Sequence, residues 1–306
     1  MKYKSLLDAI GNTPLVRIPF DSPATVYAKL EYLNPGGSIK DRTALYMIEQ
    51  AEKRGTLKPG GTIIEASSGN QGIAAAMIGA IKGYKVIITV AKKVSAEKKA
   101  ALQAYGAQLI ECAVTTRLDD PNSYHAMAVK IHNETPNSVL LNQYHNHDNV
   151  QAHYNLTGPE IWKQLNGNFT HLVGAIGTTG TMSGIGTYLK EKNPAIKILA
   201  VDAANSYRST NGNPKPYALE GLGVDFESPI IKKDVIDEYL LAPDEHAIAM
   251  MKRMAREYGF LIGPSSGAVA YCASEYAKQL TADDTMIILF ADSGRAYLSK
   301  DYFQNS

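Results

Sequence analysis

Leu33-Asn34-Pro35-Gly36-Gly37-Ser38-Ile39-Lys40-Asp41-Arg42 joins a tight turn to the start of a helix. The Asn-Pro-Gly-Gly turn runs into a helix-compatible segment (Thr43, Ala44, Leu45, Met47, Ile48), so Ser38 is expected at the N-cap and Lys40 in the first helical turn. A cation there faces the positive end of the helix dipole, which disfavours the ammonium form and favours a neutral, nucleophilic amine. Such a lysine suits Schiff-base chemistry. The ordinary alternative is a solvated lysine at a helix start, one of 31 Lys and Arg residues in the chain.

Outward from this turn, short apolar runs alternate with segments of helical period. Residues 24–30, 62–65, 85–90, 107–110, 139–141, 172–176, 196–201 and 286–290 read as strands. Between them, 70–83, 95–105, 122–132, 148–165 and 180–192 read as helices. Continuous apolar strands separated by helices predict an α/β fold with parallel-rich sheets flanked by helices. Residues 203–235, rich in Asn, Pro, Gly and Ser, read as a long functional loop.

Two strand-to-helix junctions stand out, since open α/β sheets bind ligands at the carboxyl ends of their strands. Glu65-Ala66-Ser67-Ser68-Gly69-Asn70-Gln71-Gly72 offers hydroxyls, amides and backbone N–H groups suited to a carboxylate. Gly177-Thr178-Thr179-Gly180-Thr181-Met182-Ser183-Gly184 has the small residues and hydroxyls of a phosphate cradle. Either loop taken alone could be glycine-rich simply for close packing. No P-loop is present, and Thr179 stands where a GxGxxG pattern needs glycine. Asp202, ending the following strand, keeps a nicotinamide-binding reading open.

The chain has 306 residues, 45% hydrophobic and 20% charged, with a net charge of +1. That balance fits a globular enzyme and lacks the basic excess that nucleic acid or anionic membranes require. The start Met1-Lys2-Tyr3-Lys4 leads to a short apolar run broken by Asp8, so no signal peptide is expected. Cys112 and Cys272 lie far apart among apolar neighbours and read as buried thiols of a reducing cytoplasm. The histidines cluster only at His145, His147 and His153, without a zinc-ligand pattern.

Gly11-Asn12-Thr13-Pro14-Leu15-Val16, the Lys40 turn, Ser68-Gly69-Asn70-Gln71-Gly72, Gly177-Thr178-Thr179-Gly180-Thr181 and Gly263-Pro264-Ser265-Ser266-Gly267 occur in that order. This order resembles the fold-type II pyridoxal phosphate enzymes, in the β-replacement branch of cysteine synthase and cystathionine β-synthase. Asp120-Pro121-Asn122-Ser123, Asn142-Gln143-Tyr144, Leu219-Glu220-Gly221-Leu222-Gly223-Val224-Asp225 and Asp292-Ser293-Gly294-Arg295 look more like the cystathionine synthase side.

The resemblance implies a two-domain fold of the tryptophan synthase β type. Residues 1–38 and 147–306 would form a large cofactor-binding domain and 39–146 a smaller mobile one. Lys40 would hold pyridoxal 5'-phosphate and later serve as the base. Asn70 would bond the ring hydroxyl, Gly177, Thr178, Thr179, Gly180 and Thr181 the phosphate, and Ser265 the pyridine nitrogen. Ser67, Ser68, Gln71 and Gln143 would bind the substrate carboxylate.

The implied reaction is β-replacement on O-acetylserine, serine or O-phosphoserine with sulfide or a thiol. Cysteine synthase is the first expectation and cystathionine β-synthase the alternative; a dehydratase, an oxidoreductase and a non-catalytic scaffold rank behind. A homodimer and a serine acetyltransferase partner are implied as well. Asn70 as a helix cap, Ser265 as a turn residue, Gln143 as a satisfied strand-end amide, and Glu220 and Asp225 as ordinary loop charges remain open. Gln71 stands where cysteine synthases usually carry threonine, and Val224 where cystathionine synthases often carry an aromatic, which leaves the substrate undetermined.

Overall fold

A computed structural model describes residues 2–67, 69–92, 94, 96–115 and 120–303. Among these the strands are β1 (Leu15–Ile18), β2 (Thr25–Leu30), β3 (Thr62–Ala66), β4 (Lys85–Ala91), β5 (Gln108–Cys112), β6 (Ser138–Leu140), β7 (His171–Ala175), β8 (Lys197–Ala203), β9 (Glu238–Ala242) and β10 (Thr285–Phe290). The helices are α1 (Lys40–Lys53), α2 (Asn70–Lys82), α3 (Ala96–Ala104), α4 (Tyr124–Glu134), α5 (Asp148–Ala152), α6 (Gly158–Gln164), α7 (Gly180–Lys192), α8 (Asp244–Tyr258) and α9 (Pro264–Ala277).

The chain divides into two compact units, residues 1–10 with 40–149 and residues 11–39 with 150–306. The first holds a four-stranded sheet in the order β5-β4-β3-β6, parallel throughout. Every residue of β3 is buried, as expected of an apolar strand covered on both faces. Its core gathers Ile48, Ile63, Met77, Ile78, Ile88 and Val90. The first ten residues, expected with the larger group, belong to this unit because Leu7 and Ile10 pack against that core.

The second unit holds a six-stranded sheet in the order β1-β2-β10-β7-β8-β9. Only the β1–β2 pair is antiparallel. β1 and β9, which the sequence pattern does not announce, are its two edges, each with a single buried residue. The expected helix over 148–165 exists, but His153–Thr157 forms one π turn between α5 and α6. Such insertions cluster at functional sites. Both cysteines are buried and free, and burial pushes the Cys272 thiol up to about 12.

Candidate active site

In the first unit Lys40 is the opening residue of α1, where the sequence places it. Ser38, two residues ahead of it, belongs to the second unit and forms an antiparallel bridge with Asp292. Asn70 opens α2 one residue after Gly69. The helix starts here because Gly72 lets the loop fold back on itself; a Cβ at that position would lie 2.3 Å from the Ser67 carbonyl oxygen. The Ser67 hydroxyl accepts from the Gly69 N–H at 3.3 Å. Ser68 lies outside the described residues.

Gln71 is 1% exposed, and its amide is half used. Thr43 Oγ1 donates to its Oε1 at 3.0 Å, while its buried Nε2 has no partner among the described residues. A buried amide donor left unmade costs about 1–3 kcal/mol, so its position in the first turn of α2 marks a place for an acceptor. Gln143 is also buried, and its carbonyl accepts from Asn149 Nδ2 at 2.8 Å.

Glu65, the last residue but one of β3, is buried in the same unit. Its carboxylate accepts the backbone N–H groups of Asn142 and Gln143. Burial raises its pKa to about 7, against the opposing pull of those two bonds and of the Lys40 charge.

In the second unit the 177–181 loop leaves β7 and opens α7. Thr179 adopts φ +72°, a left-handed conformation uncommon for a non-glycine residue. A left-handed turn at a helix start with no acidic side chain in the loop is the kind of arrangement that receives a phosphate. The Thr179 hydroxyl is engaged elsewhere. Ser228 donates to the Thr178 carbonyl at 2.9 Å, so the 2.9 Å contact between Thr179 and Ser228 must be donated by Thr179.

Ser265 is buried in the first turn of α9, behind Pro264. Gly221 passes beside it with φ +78°, and a Cβ there would stand 3.7 Å from the Ser265 hydroxyl. The 203–235 segment is therefore packed loop: the Gly223 N–H donates to Ile176 O at 2.8 Å and the Tyr207 N–H to Val224 O at 2.9 Å. Asp202 accepts from the Ala203 N–H at 2.8 Å and from Ser206 Oγ at 2.7 Å. Its carboxylate is thus spent on its own loop, which removes the support for a ribose-binding role.

The family model for "Pyridoxal-phosphate dependent enzyme" matches residues 6–292. The chain belongs to that family. A cystathionine β-synthase of Apis mellifera is 42% identical over 96% of this chain, and a cysteine synthase B of Pseudomonas aeruginosa is 39% identical over 99% of this chain and 98% of its own length. A solved O-acetylserine dependent cystathionine β-synthase from Helicobacter pylori has a TM-score of 0.91 at 35% identity, covering 99% of both chains. The solved structure shares the fold-type II architecture of the family. The chain spans 54% to 62% of the length of the animal, slime-mould and yeast cystathionine β-synthases it matches.

For a pyridoxal-phosphate dependent enzyme the residues fit the cofactor. In the second unit the left-handed turn at Thr179 ahead of α7 suits its phosphate; in the first, Lys40 is an amine that can take its aldehyde, and Gln71 Nε2, without a partner among the described residues, suits an amino-acid carboxylate. Several supporting residues escape a reading of the sequence. Buried His153 bridges Thr181 Oγ1 (3.1 Å from Nε2) and Thr157 Oγ1 (2.9 Å from Nδ1). With Nε2 protonated it donates to Thr181 and leaves that hydroxyl's proton for a phosphate oxygen.

Buried Lys29 pairs with Glu160 and donates to the Thr13 carbonyl at 2.5 Å. Glu31 accepts from Thr13 Oγ1 at 2.6 Å and from Asn34 Nδ2 at 2.9 Å. This network ties the Gly11–Val16 motif to the turn that leads to Lys40. The Ile39 N–H donates to Ala291 O at 2.8 Å, Ala291 N–H to Ser266 Oγ at 2.9 Å, and Gly263 N–H to Asp292 O at 3.0 Å. One strand end thereby holds both that turn and the Ser265 loop.

Proposed function

We propose that the chain catalyses β-replacement on an activated serine, O-acetylserine first, with sulfide or a thiol as nucleophile. Cysteine synthase is the leading assignment and cystathionine β-synthase the alternative. The observation that carries the substrate side is the buried Nε2 of Gln71, without a partner among the described residues, which asks for an acceptor such as a carboxylate. The likeness to a cysteine synthase B over nearly its whole length, and to a structure described as O-acetylserine dependent, supports the reaction and the leaving group.

Pyridoxal phosphate supplies the electron sink that lets negative charge form at the α-carbon. Lys40 would hold the cofactor by its aldehyde and would be the base placed to accept the α-proton. The 177–181 loop would hold the phosphate and Asn70 the ring hydroxyl. Ser265 would face the ring nitrogen with a neutral hydroxyl, a partner that would leave that nitrogen unprotonated and make the cofactor a weaker electron sink. Ser67, Ser68, Gln71 and Gln143 orient the substrate by its carboxylate. The same reading carries a cytoplasmic homodimer and a serine acetyltransferase partner.

The test is a visible-absorption titration of the cofactor-loaded protein with serine, O-acetylserine and O-phosphoserine, followed by sulfide, cysteine and homocysteine. O-acetylserine is expected to shift the cofactor band and sulfide to restore it. Restoration by homocysteine alone makes the chain a cystathionine β-synthase, and pyruvate release without a thiol makes it a dehydratase. Lys40→Ala is expected to lose the band and about 10³-fold or more in kcat. A band that survives this substitution, or none after added pyridoxal phosphate, overturns the assignment.

A further inference from the structure

Glu65 belongs to one candidate substrate loop and holds the other. It precedes Ser67 by two residues, yet its carboxylate accepts the Asn142 N–H at 2.8 Å and the N–H of Gln143, 77 and 78 positions along the chain. The segment it grips is under strain: Asn142 has φ +49°, a left-handed conformation that costs energy in any residue with a Cβ. Other ties bear on the same segment. Asn146 Nδ2 donates to the Leu141 carbonyl at 3.0 Å, Asn149 Nδ2 to the Gln143 carbonyl at 2.8 Å, and His145 Nδ1 meets Asn142 Oδ1 at 3.1 Å.

Carboxylates are rarely buried this completely without a functional or structural demand. A neutral acceptor would satisfy a strand end equally well. A carboxylate can take both N–H groups at once, as two charge-assisted bonds that fix the direction of the Gln143 side chain.

We infer that Glu65 is the positioning residue of the amino-acid subsite, clamping the 142–143 backbone so that Gln143 and the 67–71 loop address one substrate carboxylate. The inference rests on the reading of Gln143 and Gln71 as substrate-binding residues. Burial disfavours the charged form, and the Lys40 ammonium in the same unit favours it, so the clamp is strongest above neutral pH.

The test compares Glu65→Gln, Gln143→Ala and the double variant at pH 8.5. Glutamine keeps the shape but turns its amide nitrogen, a donor, toward one of the two N–H groups. Amide hydrogen exchange of the cofactor-free protein is expected to accelerate at Asn142 and Gln143, with Ile63 and Ile88 unchanged. In the loaded protein, half-saturation by O-acetylserine should rise about tenfold, with pyridoxal phosphate affinity unchanged and kcat within about twofold. The double variant should be no worse than the poorer single one, the mark of two residues acting as one.

Unchanged exchange at 142–143, additive losses, or an equal loss of cofactor affinity overturns the inference. An unaltered half-saturation in Gln143→Ala overturns the substrate reading instead, while the exchange data still report whether Glu65 holds the loop. Should Glu65→Gln not fold, Glu65→Asp carries the same measurements, because its carboxylate is withdrawn by one methylene.

Discussion

The two glycine-bearing strand-to-helix loops look alike in sequence and differ in how their polar groups are spent. In the 177–181 loop, Thr179 donates to Ser228 and Thr181 meets His153. What that loop offers a ligand is mainly backbone N–H groups at a helix start, preset by the left-handed turn at Thr179. It contains no ionisable side chain. In the 65–72 loop, Glu65 is a buried carboxylate with a raised pKa, and Gln71 keeps a buried donor without a partner. A permanently bound cofactor suits the first arrangement, whose cost is met within the fold. A substrate that comes and goes suits the second, because its arrival supplies the missing acceptor.

The contrast can be broken most severely at Glu65. Its pKa of about 7 in the folded protein lies above the ordinary glutamate value of 4.5, so the folded chain keeps a proton that the unfolded chain has released. Stability is therefore expected to fall as pH rises from about 4.5 through about 7, by about 3 kcal/mol for a gap of that size. Thermal melts across this window should show the slope in the natural chain and a flatter curve in Glu65→Gln.

Gln71→Ala comes next. Loss of one hydrogen bond to a charged carboxylate, about 2 kcal/mol, should raise half-saturation by the amino acid about 30-fold, with cofactor affinity intact. Equal damage to both affinities would erase the distinction between the loops. On the phosphate side, His153→Asn should weaken pyridoxal phosphate about fivefold, seen by absorbance titration, and leave amino-acid binding of the loaded protein unchanged. The smallest effect is expected from Ser228→Ala, about twofold in cofactor affinity, because the loop backbone survives the loss of one side-chain brace.

Much of the fold was legible because its signals are local. Eight of the ten strands coincide with apolar runs of the sequence, and α1, α2, α3, α4 and α7 with segments of helical period. β1 and β9 escape because edge strands are short and half exposed, without the continuous apolar run of a central strand. α9 escapes for the opposite reason. Eleven of its 14 residues are buried, so no polar face alternates with an apolar one. α8 is amphipathic and was readable in principle; its pattern follows the irregular 203–235 segment, which masks where a regular element resumes. The bridge between Ser38 and Asp292 has no signal in the sequence, because the two lie 254 positions apart.

The sequence by itself determined the family, since Lys40, Asn70, the 177–181 loop and Ser265 each lie in a contiguous motif, and the order of those motifs is what resembles the family. Only the tertiary structure decided what holds those motifs. Glu65 reaches Asn142 across 77 positions, Thr179 reaches Ser228 across 49, His153 reaches Thr181 across 28 and Lys29 reaches Glu160 across 131. A hydrogen bond between residues so far apart leaves no period and no composition along the chain. A buried glutamate is spelled like an exposed one until the fold supplies its partners.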